Sequence, residues 1–175
     1  LEFVLGTETI PITQAGNRIL ATNIVAKADI PAWSNSAMDG YAVRIEDCGE
    51  TVNLPVSQII PAGKTNTTSL MANTCARIFT GAPVPQGANA VVIQENVSTD
   101  TSGNISFTTP LKMWANIRQQ AEEVARGDIV LKKGTVLDAS GMALALSAGV
   151  RNVEVWKRPV IGIISTGDEL VDPQG

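Results

Sequence analysis

Between residues 46 and 126 the apolar residues come in short runs, each closed by turn formers within a few positions. Residues 56–60 make one run, ended by Pro61, Ala62 and Gly63; residues 76–79 make another, and 90–94 a third that reads as buried. Val97 and residues 105–108 flank Asp100-Thr101-Ser102-Gly103-Asn104, which has the residue types of a hairpin turn. A chain that reverses this often, with almost no 3.6-residue periodicity, predicts a compact β-rich lobe.

The flanking segments differ. Residues 10–13 alternate like a short strand, 14–20 allow a helical turn, and 22–25 read as a strand. Past Gly127, residues 129–131 form a strand and Lys132-Lys133-Gly134 a turn. Asp138 is placed to cap a helix over 139–148, with Met142, Leu144 and Leu146 as its apolar residues and Gly149 as its stop. Val153 and Val155 then alternate as a strand. These outer elements lack partners of their own, whereas the middle has strands enough to close on itself. The expected organisation is therefore a discontinuous linking lobe, 1–26 with 128–158, into which 27–127 is inserted as a β-rich lobe. After Pro159, Val160-Ile161-Gly162-Ile163-Ile164 is a continuous apolar run, the pattern of a parallel strand buried on both faces. Residues 159–175 are accordingly expected to begin an α/β domain, truncated here. The fold class is mainly β, a β-rich α+β complex of short sheets in two lobes plus that first strand.

Composition removes several functions. Of the 175 residues 44% are hydrophobic and 17% charged, which suits a buried core and not a disordered chain. A net charge of −4 argues against a nucleic-acid partner. The absence of histidine excludes His-dependent triads and His-ligated zinc. Cys48 and Cys75 are too far apart for a CxxC motif and too few for a disulfide framework, so two reduced thiols in a cytoplasmic protein are expected. No apolar run reaches the roughly 18 residues of a membrane span, and no signal peptide is visible.

Four stretches carry residues able to do chemistry. Asn35-Ser36-Ala37-Met38-Asp39-Gly40-Tyr41-Ala42-Val43-Arg44 packs hydroxyl, carboxylate, glycine and arginine between a proline-bearing loop (29–33) and a β-type run. It reads either as a loop ending in an Asp-Gly turn that needs positive φ, or as a carboxylate held at a strand entrance with Gly40 admitting a ligand to the backbone. Thr80-Gly81-Ala82-Pro83-Val84-Pro85 is either a stiff connection or a device to fix the Thr80 hydroxyl. Ile117-Arg118-Gln119-Gln120-Ala121-Glu122-Glu123 reads, on its residues alone, as a charged, solvated turn. Ser165-Thr166-Gly167-Asp168-Glu169-Leu170 follows the apolar run, at the strand end where α/β sheets gather ligands, and Asp168 can cap a helix there.

Ser36-Ala37-Met38-Asp39-Gly40-Tyr41-Ala42 resembles the signature of the molybdopterin molybdenumtransferases, the family of MoeA and the gephyrin E-domain. Residues 78–92 are similar to the family's second signature, with Asn89 where an acidic residue is usual. Residues 117–123 resemble its "I-R-x-x-G-E-D", with Ala121 and Glu123 replacing Gly and Asp, and residues 165–170 match its "S-T-G-D-E-L". Residues 15–21 resemble "A-x-G-R-x-L-A", with Asn17 at the glycine position, a swap that asparagine's tolerance of left-handed backbone permits. The resemblance implies insertion of molybdenum from molybdate into adenylylated molybdopterin, with Mg²⁺-dependent release of AMP, in a homodimer whose active site is shared between subunits. It implies Asp39, Glu123 and Glu169 as catalytic residues and candidate metal ligands, and Ser36, Thr80 and Arg118 as substrate-binding residues. The alternative within the same family is a non-catalytic scaffold or dimerisation module, against which the prokaryote-like Ser36-Ala37-Met38 speaks.

Overall fold

A computed structural model describes residues 5–49, 52–63, 68–108, 110–167, 169 and 171. The chain runs through β1 (Thr7–Pro11), β2 (Ile24–Val25), β3 (Asn35–Ser36), β4 (Gly40–Val43), β5 (Leu54–Ile60) and β6 (Cys75–Ile78). It continues through β7 (Ala90–Ile93), β8 (Val97–Thr99), β9 (Asn104–Phe107), β10 (Ile117–Arg118) and β11 (Ile129–Leu131). Helix α1 (Ala139–Ser147) and β12 (Asn152–Trp156) follow. The mainly β class expected from the short runs is what forms.

Six strands make one sheet in the order β7-β4-β6-β5-β9-β8. Only β5 and β6 run parallel; the other neighbours are antiparallel. Alternation along each central strand sends successive side chains to opposite faces. Ala42, Ala76, Ile78 and Val91 enter one apolar cluster, while Val43, Cys75, Ala90 and Val92 enter another. Both faces are covered, which is why β7 carries no polar alternation. The Asp100–Asn104 segment joins β8 to β9 as the expected hairpin, closed by Asp100 Oδ1, which accepts from the Ser102 and Asn104 amides at 2.8 and 3.0 Å.

A separate core collects residues from both ends of the chain. Ile12, Leu20 and Ile24 pack with Leu137, Ala145, Val153 and Val155. Strand β1 pairs with β12, and β2 with β11. Helix α1 starts at Asp138, whose carboxylate accepts from the Gly141 amide at 2.7 Å and the Ser140 hydroxyl at 2.9 Å. It stops before Gly149, which has φ +80°. Asn17 has φ +59°, the left-handed backbone that its position requires.

The first strand lies at Thr7–Pro11 and not over 10–13, and the helical turn expected over 14–20 is a 3-10 turn at Ile12–Gln14; the larger difference comes near the end of the chain. Val160-Ile161-Gly162-Ile163-Ile164 forms no strand, and Val160 is 99% exposed and Ile163 90%. An apolar run becomes a buried strand only when neighbours accept its backbone bonds and cover its faces. Among the described residues none lies beside it. No helix among the described residues is long and apolar enough to cross a membrane.

Candidate functional site

Strand β3 is only two residues long, yet three of the singled-out stretches meet on it. Ile117 and Arg118 of β10 pair with Ser36 and Asn35 on one side. On the other, the Gly81 amide donates to the Ser36 carbonyl at 2.8 Å, and the Ser36 amide to the Ala82 carbonyl at 3.0 Å. The Ser36 hydroxyl donates to the Met38 carbonyl at 2.6 Å and closes the turn into Asp39. At 1% exposure Ser36 has its hydroxyl directed into this turn, which it helps to shape.

Asp39 follows, half-buried, at the entrance to β4. Its Oδ1 accepts two hydrogen bonds from Thr80, from the backbone amide and from Oγ1, both at 2.8 Å. These bonds, the backbone one foremost, hold the Asp39 carboxyl below the usual range, with the Arg77 charge adding to the effect. Oδ2 receives no hydrogen bond among the described residues. Thr80 can reach Asp39 because it lies two residues past the end of β6, whose Ile78 lies opposite Gly40. Arg77 on β6 donates to the Gly40 carbonyl at 2.9 Å. Sequence reasoning missed this arginine; its only signal is a lone charge in an otherwise apolar strand.

Gly40 itself answers neither sequence reading. It lies in β4 outside the left-handed region, so no positive φ explains it. A Cβ there would overlap the Val92 carbonyl of neighbouring β7, so the close approach is by the chain's own backbone and not by a ligand.

The segment after β10 is folded back on Arg118. Its Nε donates to Glu122 Oε1 at 2.8 Å, and a terminal nitrogen pairs with Glu123. Both acids push the guanidinium further toward its charged form, Glu122 foremost, and Arg118 in turn lowers the pKa of Glu122. The turn passes through Ala121 at φ +62°. It is fastened to the proline-bearing loop by the Ala121 amide on the Pro31 carbonyl at 3.1 Å and the Glu123 amide on the Ile30 carbonyl at 3.0 Å. Asp29 adds two bonds that sequence reading did not assign, accepting from Gln120 Nε2 at 2.6 Å and from the Arg126 amide at 2.8 Å. Asn89 is structural, its side chain bridging the Ile45 amide and Glu46.

Asp39, Thr80, Arg118 and Glu123 are thus carried by elements that share β3 and β4. Glu169 is not gathered with them: it is exposed after the last strand and makes no hydrogen bond to the others among the described residues. Asp168 and Leu170 of the same motif lie outside the described residues. No three Asp, Glu, Cys or His side chains among the described residues converge as a metal site. What the donor set does offer is the free Oδ2 of Asp39, and Mg²⁺ commonly takes one or two protein carboxylates with substrate phosphates and water completing an octahedron. Asp39 could thus offer one oxygen to a cation, and no self-contained cage forms among the described residues.

The model of the MoeA N-terminal region, domains I and II, matches residues 2–149. A molybdopterin molybdenumtransferase of Haemophilus influenzae is 38% identical over 172 residues, covering 98% of this chain and 43% of that protein. Molybdopterin molybdenumtransferase 2 of Mycobacterium tuberculosis is 41% identical, covering 94% of this chain and 42% of that protein. A crystal structure of the molybdopterin biosynthesis MoeA protein from Pyrococcus horikoshii superposes with a TM-score of 0.90 at 32% identity, over 97% of this chain and 44% of that one. The chain spans about two fifths of the length of the curated relatives it matches.

Proposed function

The chain belongs to the MoeA N-terminal region family, and from that premise we propose that it presents Asp39, Thr80 and Arg118 to the substrates of a molybdopterin molybdenumtransferase. The whole protein's reaction inserts molybdenum from molybdate into the dithiolene of adenylylated molybdopterin and releases AMP. The observation that carries this reading is the Asp39 carboxylate, fastened at Oδ1 by two Thr80 donors with Oδ2 left free; Arg118 is carried on β10, which pairs with the β3 that leads into Asp39.

Each side chain has a defined task. Thr80 fixes the direction of Asp39, whose free oxygen accepts a proton or a cation's coordination. Arg118 is a permanent cation that exchanges a carboxylate partner for a phosphate or molybdate oxygen, to which its planar fork is matched. Glu123 holds that fork until substrate arrives. Mg²⁺, when bound, would be held by Asp39, with Glu123 and Glu169 as further ligand candidates, and would offset phosphate charge that carboxylates alone repel. Glu169 would act from the facing subunit, in a homodimer with a shared cleft. The protein is read as cytoplasmic, with a small pterin substrate and neither nucleic-acid nor membrane partners. Residues 1–26 with 128–158, and 27–127, are read as its two lobes.

The test mixes two inactive full-length variants, Asp39→Ala and Glu169→Ala, under conditions of proven subunit exchange. A mixed dimer holds one site with both lesions and one with neither. About half the dimers are mixed, so up to about one quarter of wild-type activity should return. No recovery would place both groups in the same subunit and overturn the shared site.

A further inference from the structure

Arg77 lies on β6 directly opposite Tyr41 of β4. Its guanidinium carbon stands 5.1 Å from the Tyr41 ring centroid and 4.7 Å from that of Phe79, two residues along the same face. Both separations fall within the cation–π range. One terminal nitrogen donates to the Gly40 carbonyl at 2.9 Å, and the other to Gln94 Oε1 at 2.5 Å. Gln94 in turn donates its backbone amide to the Asp39 carbonyl at 3.0 Å. The successive carbonyls of Asp39 and Gly40 are therefore both fixed, one by Gln94 and the other by Arg77, while Arg77 also grips the Gln94 side chain.

We infer that Arg77 is a positioning residue for Asp39, its stacked guanidinium locking the entrance of β4 so that Oδ1 meets Thr80 and Oδ2 stays free. The inference rests on the reading of Asp39 as the carboxylate of the site. Arg77 and Asp39 form no ion pair. That separation has a consequence, because a direct pair would occupy the carboxylate oxygens that the chemistry needs. Tyr41, Phe79 and Gln94 draw the guanidinium aside, and its charge then acts on Asp39 through space. Lysine cannot reproduce this arrangement: a single ammonium has no planar face to lay on two rings and no fixed fork to span Gly40 and Gln94.

The test compares Arg77→Met, Arg77→Lys and Asp39→Asn in the full-length protein. Turnover is measured with molybdate and adenylylated molybdopterin, and deuterium exchange is followed at the Thr80 amide. A positioning role predicts that Arg77→Met lowers kcat about tenfold or more with KM within about twofold, and that Arg77→Lys falls between it and wild type. In both variants the Thr80 amide should exchange faster, because its acceptor is no longer held in place. If Asp39→Asn turns over like wild type, the reading of the site itself fails. If Asp39→Asn is inactive while both Arg77 variants keep kcat within about twofold of wild type and leave Thr80 protected, the positioning inference fails and the site stands. Should Arg77→Met not fold, Arg77→Lys decides by the same two measurements.

Discussion

Ala121 occupies a backbone conformation that suits glycine. Its φ of +62° lies in the left-handed region, in the turn that folds Glu122 and Glu123 back onto Arg118. The conformation is imposed from outside by the Ala121 amide on Pro31 and the Glu123 amide on Ile30, and closed within the turn by the Glu122 amide on Gln119. Left-handed backbone costs an L-residue about 1–2 kcal/mol, because Cβ crowds the following carbonyl. Replacing Ala121 by glycine removes that crowding, but returns about 0.4–1 kcal/mol through the greater freedom of the unfolded chain. The difference leaves Ala121→Gly more stable by about 0.5–1 kcal/mol. In urea unfolding followed by fluorescence of the three tryptophans, the midpoint should rise at unchanged slope. With a slope near 2 kcal/mol/M the rise is about 0.25–0.5 M. Asn17 supplies the internal control, since it has nearly the same φ, +59°, with a side chain that tolerates it. Asn17→Ala should therefore lose about 1 kcal/mol, while Asn17→Gly changes stability by only a few tenths. A midpoint that falls in Ala121→Gly, or fails to move while Asn17→Ala behaves as stated, would refute the strain argument.

Gly40→Ala should destabilise by about 3 kcal/mol or more, because its Cβ meets the Val92 carbonyl and β4 cannot move without breaking pairs on both sides; thermal unfolding checks it, and a loss below about 1 kcal/mol would remove the close-approach argument. Hydrogen bonds from the Gly141 amide and the Ser140 hydroxyl lower the pKa of Asp138, so its capping contribution is complete above about pH 4 and fades as pH falls through the lower folded-state value. Asp138→Asn keeps a cap that does not titrate, and the acid limb of a stability–pH profile should be shallower in that variant than in wild type. Glu123→Asp keeps the charge that pairs with Arg118 and should leave turnover near wild type, whereas Glu123→Gln should reduce it; steady-state kinetics of the full-length protein distinguish the two.

What the sequence determined by itself was set by neighbours along the chain. The Asp138 cap, the Gly149 stop, the Asp100–Asn104 hairpin and the left-handed Asn17 each depend on a few adjacent residues, and each forms as read. Most strand positions were legible for the same reason, since alternation and turn formers are local. The motifs singled out Asp39, Thr80 and Arg118 as side chains, but not what surrounds them. Asp39 meets Thr80 41 positions away only because β4 pairs with β6, and Arg118 is brought to the strand before Asp39 only because β10 pairs with β3. Arg77 was invisible as a partner of this site, because its rings, its carbonyl and its glutamine come from three segments. Along the chain Gly40 suggests either an Asp-Gly turn or an opening for a ligand, whereas what requires it is a carbonyl 52 residues on. The burial of Ser36 and its bond to the Met38 carbonyl follow from strand pairing that the local sequence does not reveal. The apolar run at Val160–Ile164 has a strand's composition without a strand's neighbours among the described residues. Local chemistry fixes which conformations a segment can adopt, and pairing between distant segments decides what each side chain faces.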